Sequence, residues 1–243
     1  MRYRKEHLLI TAIAALLEGA NHVAVGAISP IAGAAALLAR ARSGGGMRVS
    51  MLGSARHNFF TDGGRELFDC AAQGRIDAFF LGGAQIDGSA NLNLVGTGGY
   101  PQSEVRFAGS FGSAYLYFLV PRVILLQPEH STRTLVSRVD FISAPGVSPP
   151  GVYRPGGPIA LVTELCAFSF DRDAARFRLE TVHPGQTAAG IRDNTGFDFD
   201  APEHVPATPE PDAETLALLH GEVGRALGET YPEFAARVFG RAA

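Results

Sequence analysis

The chain contains 243 residues, of which 46% are hydrophobic and 19% are charged. These values exclude a disordered chain and supply enough apolar residues for the core of one α/β domain of generous size. The net charge is -3 at pH 7 and the basic residues are scattered, so the sequence gives no support for nucleic-acid binding.

An apolar stretch lies near the start of the chain. Leucine and isoleucine residues at helical spacing predict a buried helix over residues 5–18, and a buried strand follows at residues 22–27. Glu18, Asn21 and His22 interrupt this stretch before it reaches the roughly 20 apolar residues that a membrane span needs. We therefore expect no membrane contact and no signal peptide, and a cytoplasmic protein.

Helices and strands then alternate along the chain. Ser29 and Pro30 offer an N-cap and a first-turn proline for a second helix. Helices are predicted at residues 31–42 and 64–74, and strands at residues 47–52 and 76–83. This order predicts the fold class α/β, with an open wound, mainly parallel sheet and helices on both of its faces.

The second half of the chain continues this pattern and then changes. We predict a turn into a helix at 109–119, strands at 121–127 and 137–146, and a hairpin formed by 159–171 and 175–185. A C-terminal helix is predicted near 212–228, with a last helical turn or two at 231–239. We expect an α/β domain over residues 1–200, and a Pro-rich strap with the C-terminal helix over residues 201–243, packed on the domain or on a partner.

Glycine-bearing loops follow three of the predicted strands. They contain Gly82 and Gly83, then Gly109, Ser110 and Gly112, and earlier residues 26–30. In open α/β sheets such loops form the ligand crevice, and glycine lets backbone N–H groups come close to a ligand. The five named residues are therefore candidate cofactor-binding or substrate-binding positions, although glycines that only make turns give the same pattern. No loop matches a P-loop or a complete GxGxxG motif.

The two cysteines, Cys70 and Cys166, each lie inside an apolar stretch. This placement indicates reduced, buried thiols in place of a disulfide or a metal site. We expect no metal.

Five motifs in this order resemble a known family. They are GGAQID at 82–87, FAGSFGSA at 107–114, PEHS at 128–131, DFISAPG at 140–146 and NTGFDF at 194–199. Together with VGAISP at 25–30, they resemble the β subunits of family I coenzyme A transferases, the type represented by glutaconate CoA-transferase. The resemblance runs from about residue 8 to residue 200.

The resemblance implies an α/β fold in each subunit, an α-type partner in a heterodimer or heterotetramer, and an active site near the contact of the two. It also implies a coenzyme A thioester as substrate and no permanently bound cofactor. In such enzymes a glutamate attacks the acyl-CoA, giving an acyl-glutamyl anhydride and then an enzyme-CoA thioester. An oxyanion hole is needed because charge develops on the thioester oxygen.

The sequence departs from its relatives at the position of that glutamate. The resemblance places it at the end of the second strand, where this chain has Leu52. The nearest downstream carboxylates are Asp62 and Glu66. Divergent branches of the family act on CoA esters in other ways, and this chain resembles the β subunit of a hydrolase that opens a steroid ring, in which the α-type partner holds the glutamate.

Three functions remain open at this point. The first is hydrolytic or C–C bond-cleaving chemistry on an acyl-CoA, with the carboxylate supplied by the α subunit. The second is a genuine CoA transferase with a relocated carboxylate such as Asp62. The third is a noncatalytic subunit that binds CoA esters.

Four residues are candidates for catalytic roles. Gln85 follows a strand end, where its amide either donates to an oxyanion or to the pantetheine chain, or caps the loop. The resemblance places Gly112 in an oxyanion turn, with Phe111 in place of the first glycine. Glu129, beside His130, follows a buried strand and is either one member of an acid/base pair or a loop-holding residue.

The fourth candidate, His57, lies between Arg56 and Asn58 just after the missing glutamate. It is either a polar contact for the acyl group or part of a solvated loop. Phe111 and the aromatic pair at 59–60 favour an acyl group bulkier than acetate.

Overall fold

The computed structural model describes residues 3–240. Its helices are α1 Lys5–Ala15, α2 Pro30–Arg42, α3 Gly63–Ala72, α4 Ser113–Leu119, α5 Ala188–Asp193, α6 Ala213–Leu218, α7 Gly224–Gly228 and α8 Pro232–Phe239, with a π-helical turn at Leu219–Val223. Its strands are β1 His22–Val25, β2 Arg48–Met51, β3 Ala78–Leu81, β4 Gln85–Ile86, β5 Leu92–Asn93, β6 Gly96–Thr97, β7 Val105–Arg106, β8 Arg122–Gln127, β9 Pro158–Thr163, β10 Cys166–Asp171 and β11 Arg176–Val182.

One compact unit contains the residues up to Phe80 and those from Pro209 onward. Its strands β2 and β3 flank β1, and both pair with it in parallel. Strand β1 is buried along its whole length because neighbouring strands and packed helices cover it. The alanine-rich centre of α2 is buried, and the C-terminal helices pack against this helix. Because β1 and β2 are parallel, the loops that follow them leave the same edge of the sheet.

The other compact unit contains residues Leu81–Thr208. Strands β8 and β9 pair in parallel, and β9, β10 and β11 form an antiparallel meander. The predicted strand 159–171 is therefore two strands. The hydroxyl of Thr163 accepts hydrogen bonds from the N–H groups of Leu165 and Cys166, at 3.1 and 3.2 Å, which turns the chain between them.

The prediction of a strand at 137–146 is wrong. The backbone of this segment forms an isolated bridge between Ala144 and Leu92, and side-chain hydrogen bonds to other segments hold the rest. The N–H of Asp140 donates to the side chain of Gln85, and the hydroxyl of Ser143 donates to the carbonyl of Leu92. Side-chain hydrogen bonds of this kind replace the regular ladder of a strand.

The predicted α/β fold class is confirmed. Strands pair in parallel, helices lie between them along the chain, and further helices form the C-terminal part. The sequence predicts a domain over residues 1–200 and a C-terminal strap and helix over residues 201–243. Residues 1–2 and 241–243 of these ranges lie outside the described residues. Residues 201–208 group with the second unit, and the chain from Pro209 onward groups with the first. No helix within residues 3–240 is both long and apolar enough to cross a bilayer.

Candidate functional site

Gly82 and Gly83 directly follow β3, as predicted. A Cβ atom on Gly82 would lie 2.8 Å from the carbonyl oxygen of Leu126, and one on Gly83 would lie 3.0 Å from that of Gln85. Backbone atoms cannot swing away as the end of a flexible side chain can. The chain's own packing therefore accounts for glycine at both positions, and a role in ligand binding remains a prediction.

The contact at Gly82 predicts the effect of a substitution. We expect Gly82→Ala to lower the free energy of unfolding by about 1 to 3 kcal/mol, because the added methyl group forces the backbone of β8 aside. Denaturant unfolding monitored by circular dichroism measures this change. The control is Gly99→Ala, where an added Cβ meets nothing within 4 Å. Equal stability of the two variants would contradict the packing argument.

Gln85 is buried and lies at the centre of a hydrogen-bonded group. Its Oε1 accepts from Nδ2 of Asn93 at 2.7 Å and from the N–H of Asp140 at 3.0 Å. Its Nε2 donates to Oδ2 of Asp140 at 3.2 Å, and the N–H of Gly98 donates to the same oxygen at 3.0 Å. Both ends of the amide are engaged, so the loop-holding alternative for Gln85 has direct geometric support.

Asp140 is a polar group that sequence reasoning missed as a site residue. Its side chain is exposed, and it lines a surface cavity of about 640 Å³ together with neighbours that include Arg138 and Phe141. The Phe141 ring packs against Tyr100 with the ring centroids 4.7 Å apart. The signal was present in the motif DFISAPG, whose first residue is Asp140.

The loop with Gly109, Ser110 and Gly112 leads into α4. Gly109 and Phe111 both have positive φ angles, of 99° and 45°. The φ of Phe111 is costly for a residue with a side chain, and that side chain is 90% exposed. Among residues 3–240 the N–H of Gly112 makes no backbone hydrogen bond, and its role as an oxyanion donor remains a prediction.

Glu129 and His130 face different partners. The carboxylate of Glu129 accepts hydrogen bonds from Arg133 and from the hydroxyl of Ser131, and the bond from Arg133 is the main cause that lowers its pKa. His130 is buried between the hydroxyl groups of Thr163 and Thr195, at 2.8 and 3.0 Å. The two side chains do not meet, and a catalytic role for Glu129 remains a prediction.

The candidate His57 lies in the compact unit that contains β1 and β2. Its Nδ1 is 3.3 Å from Nη1 of Arg40, and its carbonyl oxygen accepts from the N–H of Met51 at 2.6 Å. Leu52, where the resemblance predicts a glutamate, follows β2 and donates its N–H to the carbonyl of Val25 at 3.0 Å.

The two downstream carboxylates have other partners. Asp62 forms an ion pair with Arg65 at 2.6 Å. Glu66 accepts hydrogen bonds from the N–H and the hydroxyl of Thr61, which lower its pKa. The carboxylate that does reach the loop after β2 is Glu229, whose Oε2 accepts from the hydroxyl of Ser54 at 2.7 Å.

A serine–histidine pair in the same unit resembles a nucleophilic pair in its geometry. Nε2 of His22 is 2.8 Å from Oγ of Ser50, and Nδ1 is 2.9 Å from the carbonyl oxygen of Arg75. Ser50 is 0% exposed, so its hydroxyl lies out of reach of a substrate. We interpret the pair as a structural contact between strands.

The two cysteines are buried and unpaired. Burial is the main cause that raises the pKa of Cys166 to about 12, which makes this thiol a poor nucleophile. Among residues 3–240 no group of three or more His, Cys, Asp or Glu side chains could hold a metal ion.

Comparison with known proteins adds a family match. The model of the coenzyme A transferase family matches residues 8–194. The chain is 32% identical to the β-type subunit of the 3-oxoadipate CoA-transferase of Pseudomonas knackmussii, over 64% of this chain and 63% of that protein. It is 30% identical to the cholesterol ring-cleaving hydrolase IpdB subunit of Rhodococcus jostii, over 64% of this chain and 62% of that protein. Each alignment therefore spans less than two thirds of the relative.

Among solved structures, the chain is similar to one chain of the decarboxylase AibA/AibB. The TM-score is 0.78 and the identity is 25%, over 99% of this chain and 100% of that chain. Transferase, hydrolase and decarboxylase relatives thus share this fold, so the fold alone does not select the reaction.

Proposed function

Because this chain belongs to the coenzyme A transferase family, as the match over residues 8–194 shows, we propose that it is the β-type subunit of a heteromeric enzyme acting on an acyl-CoA thioester. The reaction is hydrolysis or C–C bond cleavage, and the reacting carboxylate comes from an α-type partner. The acyl-CoA is a substrate, and no cofactor remains bound between turnovers. A cytoplasmic location fits the two unpaired cysteines.

The observation that carries this proposal is the side chain at the end of β2. Leu52 is aliphatic and cannot attack a thioester, whereas covalent transfer of CoA needs a nucleophile at this step. Asp62 and Glu66 form contacts with Arg65 and Thr61, close along the chain, and under the proposal neither replaces it. The proposal therefore assigns the carboxylate to another chain.

The β-type chain still supplies polar groups for the thioester. The N–H of Gly112 is a donor without a backbone partner, suited to the oxygen on which negative charge develops. Gln85 holds the loop after β3 through Asn93 and Asp140, and it acts on the substrate only through that loop.

A genuine CoA transferase is the second candidate. Two observations favour it: the match to a transferase subunit at 32% identity, and the carboxylate of Glu229 beside the loop that follows β2. Under this alternative Glu229 replaces Asp62 as the relocated nucleophile.

Covalent trapping separates the two candidates. The chain is purified with its α-type partner, incubated with an acyl-CoA and treated with borohydride, which reduces an enzyme-CoA thioester to a stable alcohol. Peptide mass spectrometry is expected to find no reduced carboxylate on this chain. Removal of the partner's carboxylate is expected to lower turnover by about 1,000-fold or more, as for other covalent nucleophiles.

The control for trapping is a known CoA transferase treated in the same way. Reduction at Glu229 or Asp62 of this chain would establish the transferase. Full activity after removal of the partner's carboxylate would also overturn the proposal.

A further inference from the structure

The segment after β2 folds back along that strand. The carbonyl of His57 accepts from the N–H of Met51, and the guanidinium of Arg48 lies 5.4 Å from the centre of the Phe59 ring. Residues 57–59 therefore run beside β2 in the opposite direction. His57 is thereby placed level with the last residue of the strand, and its ring is only partly buried.

Glu229 fixes the shape of this segment from the C-terminal part of the chain. Its Oε1 accepts from the N–H of Ala55 at 2.8 Å, and its Oε2 accepts from the hydroxyl of Ser54 at 2.7 Å. The Ser54 oxygen in turn accepts from the N–H of His57 at 2.9 Å. Glu229 lies outside residues 8–194, the part of the chain that matches the family model.

Arg40 determines which nitrogen of His57 carries the proton. A guanidinium group can donate hydrogen bonds but cannot accept them. Its contact with Nδ1, at 3.3 Å, therefore makes Nδ1 the acceptor and leaves the hydrogen of the neutral ring on Nε2. Burial and the charge of Arg40 lower the pKa of His57, which favours the neutral ring. No atom within residues 3–240 forms a hydrogen bond with Nε2.

We propose that the Nε2–H of His57 donates a hydrogen bond to an oxygen of the acyl group, and that Arg40 and Glu229 are the residues that position it. Arg40 and Arg56 outweigh the single negative charge of Glu229 around the ring. The local field therefore favours an electron-rich oxygen, that of a carbonyl or a carboxylate. The ring is a neutral donor and not a base, because its only lone pair is directed at Arg40. This inference rests on the proposed function for the identity of the ligand.

The first test reads the tautomer directly. A long-range ¹H–¹⁵N correlation spectrum of the labelled chain at pH 7.5, assigned with the His57→Gln variant, reports the protonation of both ring nitrogens. We expect a bare Nδ1 and a protonated Nε2. The Arg40→Met variant is expected to populate both tautomers, since methionine keeps the stem but offers no donor, whereas Arg40→Lys retains one. A proton on Nδ1 in the unaltered chain would refute the proposal.

The second test uses two amide replacements that place a donor at different ring positions. His57→Gln puts an amide nitrogen near the position of Nε2, and His57→Asn puts one near that of Nδ1. In the co-expressed complex, consumption of the ester is followed by chromatography with mass spectrometry, which detects both thioester hydrolysis and C–C bond cleavage. The ester used is the one turned over fastest in a panel of acyl-CoA and dicarboxylyl-CoA thioesters. We expect His57→Asn to lower kcat/KM by about 10- to 100-fold and His57→Gln to retain most of it.

Glu229 is tested in the same assay. Glu229→Gln keeps an acceptor for the Ala55 N–H and is expected to retain more activity than Glu229→Ala. Equal activity of the glutamine and asparagine variants of His57, at unchanged thermal unfolding midpoints, would overturn the ligand contact. If no thioester of the panel is turned over, the proposed function fails and the ligand contact fails with it, while the spectrum still decides the tautomer.

Discussion

Replacing Gln85 with leucine is expected to lower the free energy of unfolding by about 2 to 4 kcal/mol. The substitution preserves most of the side-chain volume but removes both the hydrogen-bond donor and the hydrogen-bond acceptor of a buried amide. Nδ2 of Asn93 and the N–H of Asp140 lose their shared acceptor, and Oδ2 of Asp140 loses one of two donors. Buried polar groups that lose their hydrogen-bond partners destabilise the fold, because nothing replaces the water they gave up on folding. Urea unfolding of the chain measures the difference.

The control is Gln186→Leu, the same change at an exposed position of the same unit, where we expect less than about 0.5 kcal/mol. A double-mutant cycle with Asn93→Leu then tests the hydrogen bond between Gln85 and Asn93. The two changes are expected to be less than additive, because each breaks the same contact. Additive effects would show that Gln85 does not act through Asn93.

The cycle also separates the two interpretations of Gln85. A loop-holding residue changes stability and activity together, and Asn93→Leu reproduces its effect on activity. An oxyanion donor lowers kcat in the Gln85 variant beyond what the Asn93 variant loses. Since both ends of the amide are engaged within the chain, we expect the first result.

The regular elements could be predicted from sequence because their causes are local. Pro30 and the alanines of α2 lie within a few residues of each other, and β1 is buried at every position. Burial of this kind leaves a periodic pattern in the sequence. The predicted helix at 31–42 and strand at 22–27 accordingly differ from the structure only at their ends.

Residues 137–146 show where local pattern fails. Their apolar residues resemble a strand, yet Asp140 gives its N–H to Gln85, which lies 55 residues earlier. A tertiary side-chain contact has taken the place of a ladder bond, and nothing within the segment encodes it. For the same reason the sequence located the loop at Gln85 but did not identify Asp140 as its partner.

Glu229 illustrates the same limit for the candidate site. The resemblance to the family predicts a carboxylate where this chain has Leu52, and His57 is close to it along the chain. The sequence does not show that Glu229, in the C-terminal segment, contacts Ser54 across 175 residues. The C-terminal segment was predicted as a strap on the domain or on a partner, and the part from Pro209 onward groups with the unit of β1 and β2.

Acidification is expected to destabilise the chain through His130. The hydroxyl of Thr195 donates to the carbonyl of Ile191 at 2.7 Å and so accepts from Nε2–H of His130. The Thr163 oxygen already accepts two backbone N–H groups, and its own hydrogen has two acceptors in reach, Nδ1 of the histidine at 2.8 Å and the carbonyl of Cys166 at 3.3 Å. The shorter contact assigns the hydrogen to Nδ1. The neutral ring is thus fully bonded, and burial is the main cause that lowers its pKa from 6.5 to about 4.

The sign of the effect follows from where the proton binds. Between pH 6.5 and about pH 4 the unfolded chain takes up a proton at His130 that the folded chain does not. Stability is therefore complete above the unfolded pKa and falls as the pH drops through this window. The loss attributable to His130 is roughly 3 kcal/mol at the lower end. Burial also lowers the pKa of His7 and His22, which adds to the loss in the same direction.

Comparison of variants isolates the contribution of His130. His130→Gln removes the titrating ring, so we expect it to be less stable than the unaltered chain at pH 7.5 but to lose less stability on acidification. Urea unfolding at several pH values between 7.5 and 4 measures the two slopes, and the surface variant His204→Gln should follow the unaltered chain. Parallel curves for the His130 variant and the unaltered chain would show that this ring takes up its proton at the same pH in the folded and unfolded states, so that it is charged in the folded chain at about pH 4 to 5. Since a charged ring cannot accept the Thr163 hydrogen, such a result would also mean that the hydrogen bonds around His130 are arranged differently, and it would reopen the acid/base pairing with Glu129.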